Sequence, residues 1–150
     1  MEEQADRVIA ARGLIASPGF IDLHAHLRDP GNEEKETIAT GLKAAAQGGF
    51  TTICCMPNTN PVIDNETVVK FILEQANQTP LARLLPIGAI TRKREGKELA
   101  DLEELARAGV IGFSDDGNPV TNGQIFQMAL LYAKDLNLPV IDHCEDLTLS

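Results

Sequence analysis

His24 and His26 stand two residues apart in the run Phe20, Ile21, Asp22, Leu23, His24, Ala25, His26, Leu27, Arg28, and that pairing on a strand is what a metal centre needs. Strict alternation predicts Ile21, Leu23, Ala25 and Leu27 on one face and Asp22, His24, His26 and Arg28 on the other. Same-side residues of a strand lie about 6 to 7 Å apart. Two imidazoles leaning together can therefore each reach one ion at about 2.0 to 2.1 Å. A half-buried edge strand with its polar face in water would show the same pattern, so the pair gains meaning from the rest of the chain.

Three more segments carry candidate chemistry. Ser114, Asp115, Asp116, Gly117 set two carboxylates before a glycine turn, and Val140, Ile141, Asp142, His143, Cys144 place a histidine in an apolar run. Each alone reads as an ordinary turn or a core histidine. Brought to one rim, His24, His26, Asp116 and His143 would form a mixed imidazole and carboxylate ligand set, which suits zinc, with manganese, iron or cobalt as alternatives. One such ion, or two sharing a carboxylate, would activate water near neutral pH and polarise a carbonyl, which points to hydrolysis of an amide-like bond or its reversal. The third segment, Met56, Pro57, Asn58, Thr59, Asn60, Pro61, is a turn by default. Asn58 in it offers a donor and an acceptor, and Arg28 a two-pronged clamp, so a dicarboxylate could use both.

Short apolar runs that could position these residues begin near Phe20, Thr51, Arg83, Val110 and Pro139, at a near-constant spacing. Helical patterns lie between them: Ile38, Leu42, Ala45, Ala46; Val69, Ile72, Leu73, Ala76; Leu102, Leu105, Ala106; and Ile125, Met128, Ala129, Tyr132, Leu136. Asp64 or Asn65 and Thr121 or Asn122 are candidate helix caps, and Gly48, Gly49 and Gly109 candidate stops. Strands alternating with helices predict an α/β fold with a parallel sheet and functional residues at the carboxyl ends of the strands. An open doubly wound sheet usually carries a glycine-rich loop after its first strand, whereas this chain has histidines there. The expectation is an incomplete (β/α)8 TIM barrel with about five βα units, since a closed barrel takes about 250 residues. Residues 18–150 would be these units and residues 1–17 a lead-in, with Arg7 to Ser17 read as a strand.

Composition narrows the partners. A net charge of −9 on 150 residues, with lysine and arginine scattered, leaves no basic surface for nucleic acid. An anionic substrate would need a local cation, and Arg28 is the one beside the histidines. No apolar run reaches the roughly 18 residues of a membrane span, and Met1, Glu2, Glu3, Gln4 is acidic where a signal peptide would be basic. Cys54, Cys55 and Cys144 show neither zinc nor redox spacing. A cytoplasmic location is expected.

Taken together, the lead-in Ser17, Pro18, Gly19, Phe20, Ile21, Asp22, the H-x-H-x-R-x-P-G run from His24 to Gly31, the M-P-N-T-x-P-V run from Met56 to Val62, the S-D-D-G run from Ser114 to Gly117, and His143 resemble the bacterial-type (class I) dihydroorotases of the amidohydrolase superfamily. The resemblance runs from Val8 onward. It implies a metal-dependent barrel that interconverts N-carbamoyl-L-aspartate and L-dihydroorotate in pyrimidine (UMP) synthesis. His24 and His26 would bind the first of one or two Zn2+ ions, Asp116 would bridge, and His143 would bind the second. His26, Arg28 and Asn58 would hold the substrate. Many relatives bridge with a carbamylated lysine, but no lysine stands between Ala106 and Val120, which leaves the role to Asp116.

The family takes another metal histidine from its sixth strand and a proton-transferring aspartate from its eighth. Neither falls within these residues, so no catalytic acid or base is expected before Ser150, and the 150 residues alone should be inactive. Residues 1–17 would be a remnant of the family's small β-sandwich domain. The partners implied are a small-molecule substrate, with a homodimer and association with aspartate carbamoyltransferase left open. Two other readings stand beside this one: another cyclic amidohydrolase, such as a hydantoinase or allantoinase, and a non-catalytic homologue that scaffolds aspartate carbamoyltransferase.

Overall fold

The computed structural model describes residues 6–150. Three of the apolar runs pair as a parallel sheet in the order β1 (Phe20–Ala25), β2 (Phe50–Cys55), β3 (Arg83–Pro86). The connections are helices α1 (Ile38–Gln47) and α2 (Glu66–Asn77), and two more follow, α3 (Leu102–Ala108) and α4 (Gly123–Asp135). The helices start where the side chains can satisfy free amides. Thr37 and Thr40 form a reciprocal capping box on α1, Asn65 Oδ1 accepts from Thr67 and Val68 on α2, and Asn122 Oδ1 accepts from Gln124 and Ile125 on α4. Gly109 ends α3 in the left-handed region at φ 111°, where a side chain would be strained.

The fourth and fifth runs join the sheet more thinly than expected. Phe113 makes a single parallel bridge to Gly88 on one side and to Val140 on the other. Around those bridges the main chain still alternates as a parallel sheet does: Ile111 N–H donates to Pro86 O, Gly88 N–H to Gly112 O, and Ile141 N–H to Phe113 O. Among the described residues, then, the sheet has three full strands continued by two short bridged segments, rather than five equal strands. The fifth segment pairs along one edge, which leaves its other row of amides and carbonyls without a ladder.

β2 lies centrally, and its second half, the apolar run Ile53 to Cys55, is buried on both faces. Ile53 and Cys55 enter the main core beneath the helices with Leu42, Val69, Ile72, Leu84, Leu105 and Phe113. Cys54 and Met56 face the other way and pack with Ile87. Each large side chain sequestered like Leu42, at 0% exposure, contributes about 1.5 to 3 kcal/mol.

Two sequence expectations change here. Residues 6–19 form no strand: Val8, Ile9, Leu14 and Ile15 are exposed, and no neighbouring strand receives their amides. Residues 1–5 of the lead-in lie outside the described residues. The strict alternation along β1 also fails. Asp22 pairs with Ile53 but Ala25 pairs with Cys55, so β1 spends one more residue than β2 over that interval, a bulge. Leu27 is buried as the alternation predicts, whereas Ile21 and Leu23 are exposed.

Candidate metal centre

The bulge re-aims the end of β1. Asp22 leaves the histidine face and lines a cleft with Ile53 and with Ala44 and Ala45 of α1, while its Oδ1 accepts from the His24 amide at 3.0 Å. Asp22 therefore holds the backbone of the bulge. Beyond it the His24 and His26 rings lie edge to face with centroids 5.0 Å apart. Arg28 follows at φ 57°, a left-handed conformation that costs a non-glycine residue about 1 to 2 kcal/mol and turns the chain off the strand. The turn then packs tightly on the segment after β2. Asn60 N–H donates to Pro30 O at 2.9 Å, and a Cβ on Gly31 would fall 2.0 Å from the Asn60 carbonyl oxygen.

Asp115 and Asp116, adjacent in sequence, do different work. Asp115 is 1% exposed and turns back into the fold, where its Oδ1 accepts from the amides of Ile90 at 2.8 Å and Thr91 at 3.0 Å and its Oδ2 accepts from the Thr91 hydroxyl. Burial pushes its carboxyl above the usual carboxylate range, against the pull of those donors. Asp116 turns the other way. Its Oδ1 stands 3.2 Å from His24 Nε2 and 3.9 Å from His143 Nδ1, and its Oδ2 stands 3.6 Å from His26 Nε2. Its amide donates to Ser114 Oγ at 3.1 Å, which keeps the turn closed.

Asn58 completes the frame. Its Oδ1 lies 3.0 Å from His26 Nδ1, which donates to it as the N–H tautomer and leaves Nε2 facing Asp116. Its Nδ2 donates to Asp116 Oδ2 at 3.3 Å. Arg28 is half-buried, and its guanidinium makes no hydrogen bond or ion pair among the described residues.

These residues fit a divalent ion. Ligand atoms of His24, His26 and Asp116 all lie within 4.8 Å of one another. Bonds of about 2.1 Å in a tetrahedron put ligand atoms about 3.4 Å apart, and each ring comes near that spacing on a different carboxylate oxygen, His24 at 3.2 Å from Oδ1 and His26 at 3.6 Å from Oδ2. His143 sits at the margin: its Nδ1 faces Asp116 while Nε2 is held by Glu145 Oε2 at 3.1 Å. A histidine restrained through its second nitrogen by a carboxylate is a common arrangement around metal ions. The sequence reading missed Asp22, Ser114, Glu145 and Arg94, whose Nη1 donates to the Asp116 carbonyl oxygen. Asp22, Ser114 and Glu145 each stand two residues from the group they brace, a spacing that carries no signal of its own without the local geometry, whereas Arg94 reaches Asp116 across 22 residues and only the fold brings it there.

Comparison with known proteins identifies the family of the chain. Residues 13–150 match the family model described as dihydro-orotase-like. The dihydroorotase of Aquifex aeolicus is 54% identical over 139 residues, 93% of this chain and 33% of that protein. That of Endomicrobium trichonymphae is 51% identical over 146 residues, 97% of this chain and 35% of the relative. The chain thus spans about a third of the length of the curated relatives it matches. Among solved structures, the L-hydantoinase (dihydropyrimidinase) of Arthrobacter aurescens superposes with a TM-score of 0.81 over 98% of this chain and 34% of its own, at 21% identity, a likeness of fold.

Proposed function

Since this chain belongs to the dihydro-orotase-like family, we propose that the whole protein is a dihydroorotase, which closes N-carbamoyl-L-aspartate to L-dihydroorotate with loss of water and runs the reverse hydrolysis. The observation that carries this reading is one buried carboxylate, Asp116, facing three imidazoles, with the Arg28 guanidinium, unpaired among the described residues, on the turn beside them. The proposal includes His24, His26, Asp116 and His143 as holders of one or two Zn2+ ions. When bound, such an ion supplies Lewis acidity toward an amide carbonyl and toward water.

The chain's own residues bind and orient. Arg28 takes the substrate carboxylate in a charge-assisted pair from the left-handed turn that follows β1. Asn58, already bonded to His26 and Asp116, adds an amide group at the same edge. In the hydrolytic direction the ring amide C–N bond breaks, oxygen from water joins the carbonyl carbon, and the ureido nitrogen takes up a proton. No residue of this chain is assigned that proton transfer, so residues 1–150 alone are expected not to turn over.

The same proposal takes residues 18–150 as the first part of a (β/α)8 barrel and residues 1–17 as the lead-in to a small second domain. A cytoplasmic location, a role in UMP synthesis, a homodimer and association with aspartate carbamoyltransferase belong to it as well. No helix among the described residues is long and apolar enough to cross a membrane. The test is a substrate panel on the full-length, metal-loaded protein. Turnover of dihydroorotate above hydantoins and allantoin is expected; hydantoin or allantoin turnover without dihydroorotate activity would overturn the substrate, and an absence of both turnover and bound metal would favour a scaffold.

A further inference from the structure

Arg94 belongs to the run Thr91, Arg92, Lys93, Arg94, Glu95, Gly96, Lys97, Glu98, which reads as a solvated cluster of charges. Its neighbours behave that way: Arg92 pairs with Glu98 and Lys97 with Glu95, both well exposed. Arg94 does not. Lys93 and Arg94 take left-handed φ values of 55° and 57°, a bend that carries the Arg94 side chain inward to the turn after the fourth sheet segment. There Nη1 donates to the Asp116 carbonyl oxygen, and Nε is buried with no partner among the described residues. The turn holds Arg94 in return, since Asn118 Nδ2 donates to the Arg94 carbonyl oxygen at 2.9 Å.

We propose that Arg94 is a positioning residue of the metal centre, fixing the Asp116 main chain so that its carboxylate is presented to His24, His26 and His143. The inference rests on the reading of those residues as metal ligands. Two left-handed residues and a buried, partnerless Nε are unfavourable, and a surface cation needs neither. A ligand carboxylate, by contrast, must be held within about 0.5 Å of its working position. Three bonds from Asp115 and one from Arg94 lock the 90–96 loop to the 114–118 turn, with Asp116 at the free end of the lock. The guanidinium also offsets two successive carboxylates.

The test uses the full-length protein, stripped by chelator and titrated with Co2+, followed by its d–d absorption band and by metal analysis. Arg94→Met is expected to weaken Co2+ binding about 10- to 100-fold, as loss of a supporting partner does. KM should change little at saturating metal, and Arg94→Lys should recover part of the affinity. Should Arg94→Met fold poorly, Asn118→Ala removes the return tie, keeps the guanidinium, and should weaken Co2+ binding several-fold. Parent-like Co2+ affinity in the folded Arg94 variant, or in Asn118→Ala where that variant is used, would overturn the inference, as would a raised KM with unchanged metal binding. A parent protein that binds no Co2+ would instead overturn the metal centre, and the inference with it.

Discussion

His24 Nε2 stands 3.2 Å from Asp116 Oδ1, although His24 lies on a half-exposed edge strand and Asp116 on a buried turn. A ligand reading of this pair predicts that charge on Asp116, more than its shape, retains the ion. Asp116→Asn in the full-length protein should weaken divalent metal binding by at least about 100-fold with little change in Tm. Metal analysis after dialysis checks it. Full metal occupancy in the variant would contradict the assignment.

Arg28 and Asn58 should separate kinetically. The Arg28 guanidinium makes no hydrogen bond or ion pair among the described residues, so Arg28→Met is expected to raise KM for dihydroorotate about 10- to 100-fold, the worth of a charge-assisted hydrogen bond, and to leave metal content alone. Asn58 holds His26 Nδ1 as well, so Asn58→Ala should lower metal affinity in addition to raising KM. Steady-state kinetics with a parallel Co2+ titration reads both. Identical behaviour of the two variants would show that Asn58 does not support His26.

Asp115 should matter for stability and not directly for substrate. Asp115→Ala strands the amides of Ile90 and Thr91, and an unsatisfied buried donor costs about 1 to 3 kcal/mol. The expected loss is about 2 to 4 kcal/mol, seen as a lower midpoint in urea unfolding. Thr91→Val, which removes one hydroxyl from the network, should cost less. A midpoint like the parent's in Asp115→Ala would remove the network from the account of this turn.

Cys55 provides a pH signature. Burial pushes its thiol from 9.0 up to about 12, so it stays neutral in the fold at pH values where an unfolded thiol ionises. A raised folded value gives stability that is complete below pH 9 and lost as pH climbs toward 12. The loss should be about 1.4 kcal/mol per pH unit in that window. Urea unfolding at several pH values, compared with Cys55→Ala, should show a steeper alkaline decline in the parent. Peptide mapping after alkylation at pH 8 should find exposed Cys144 modified, with Cys54 and Cys55 protected until unfolding. Equal slopes would sink the linkage.

Much of this protein was legible in its sequence because the signals are local. The three- and four-residue spacings around Leu42, Val69 and Leu105 specified helices, Asp64 or Asn65 and Thr121 or Asn122 marked the starts of two of them, and the short apolar run beginning near Thr51 marked a strand. Residue type and position at strand ends pointed to His24, His26, Asn58, Asp116 and His143, because a parallel sheet must gather its carboxyl ends at one rim. Side-chain direction within the site was decided by contacts between distant segments. Alternation placed Asp22 beside the histidines, yet one extra residue in the pairing with β2 turned it away to brace the His24 amide. Asp115 and Asp116 are chemically alike and adjacent. Only the Ile90 and Thr91 donors, brought over from the end of β3, draw one carboxylate inward and leave the other facing the imidazoles.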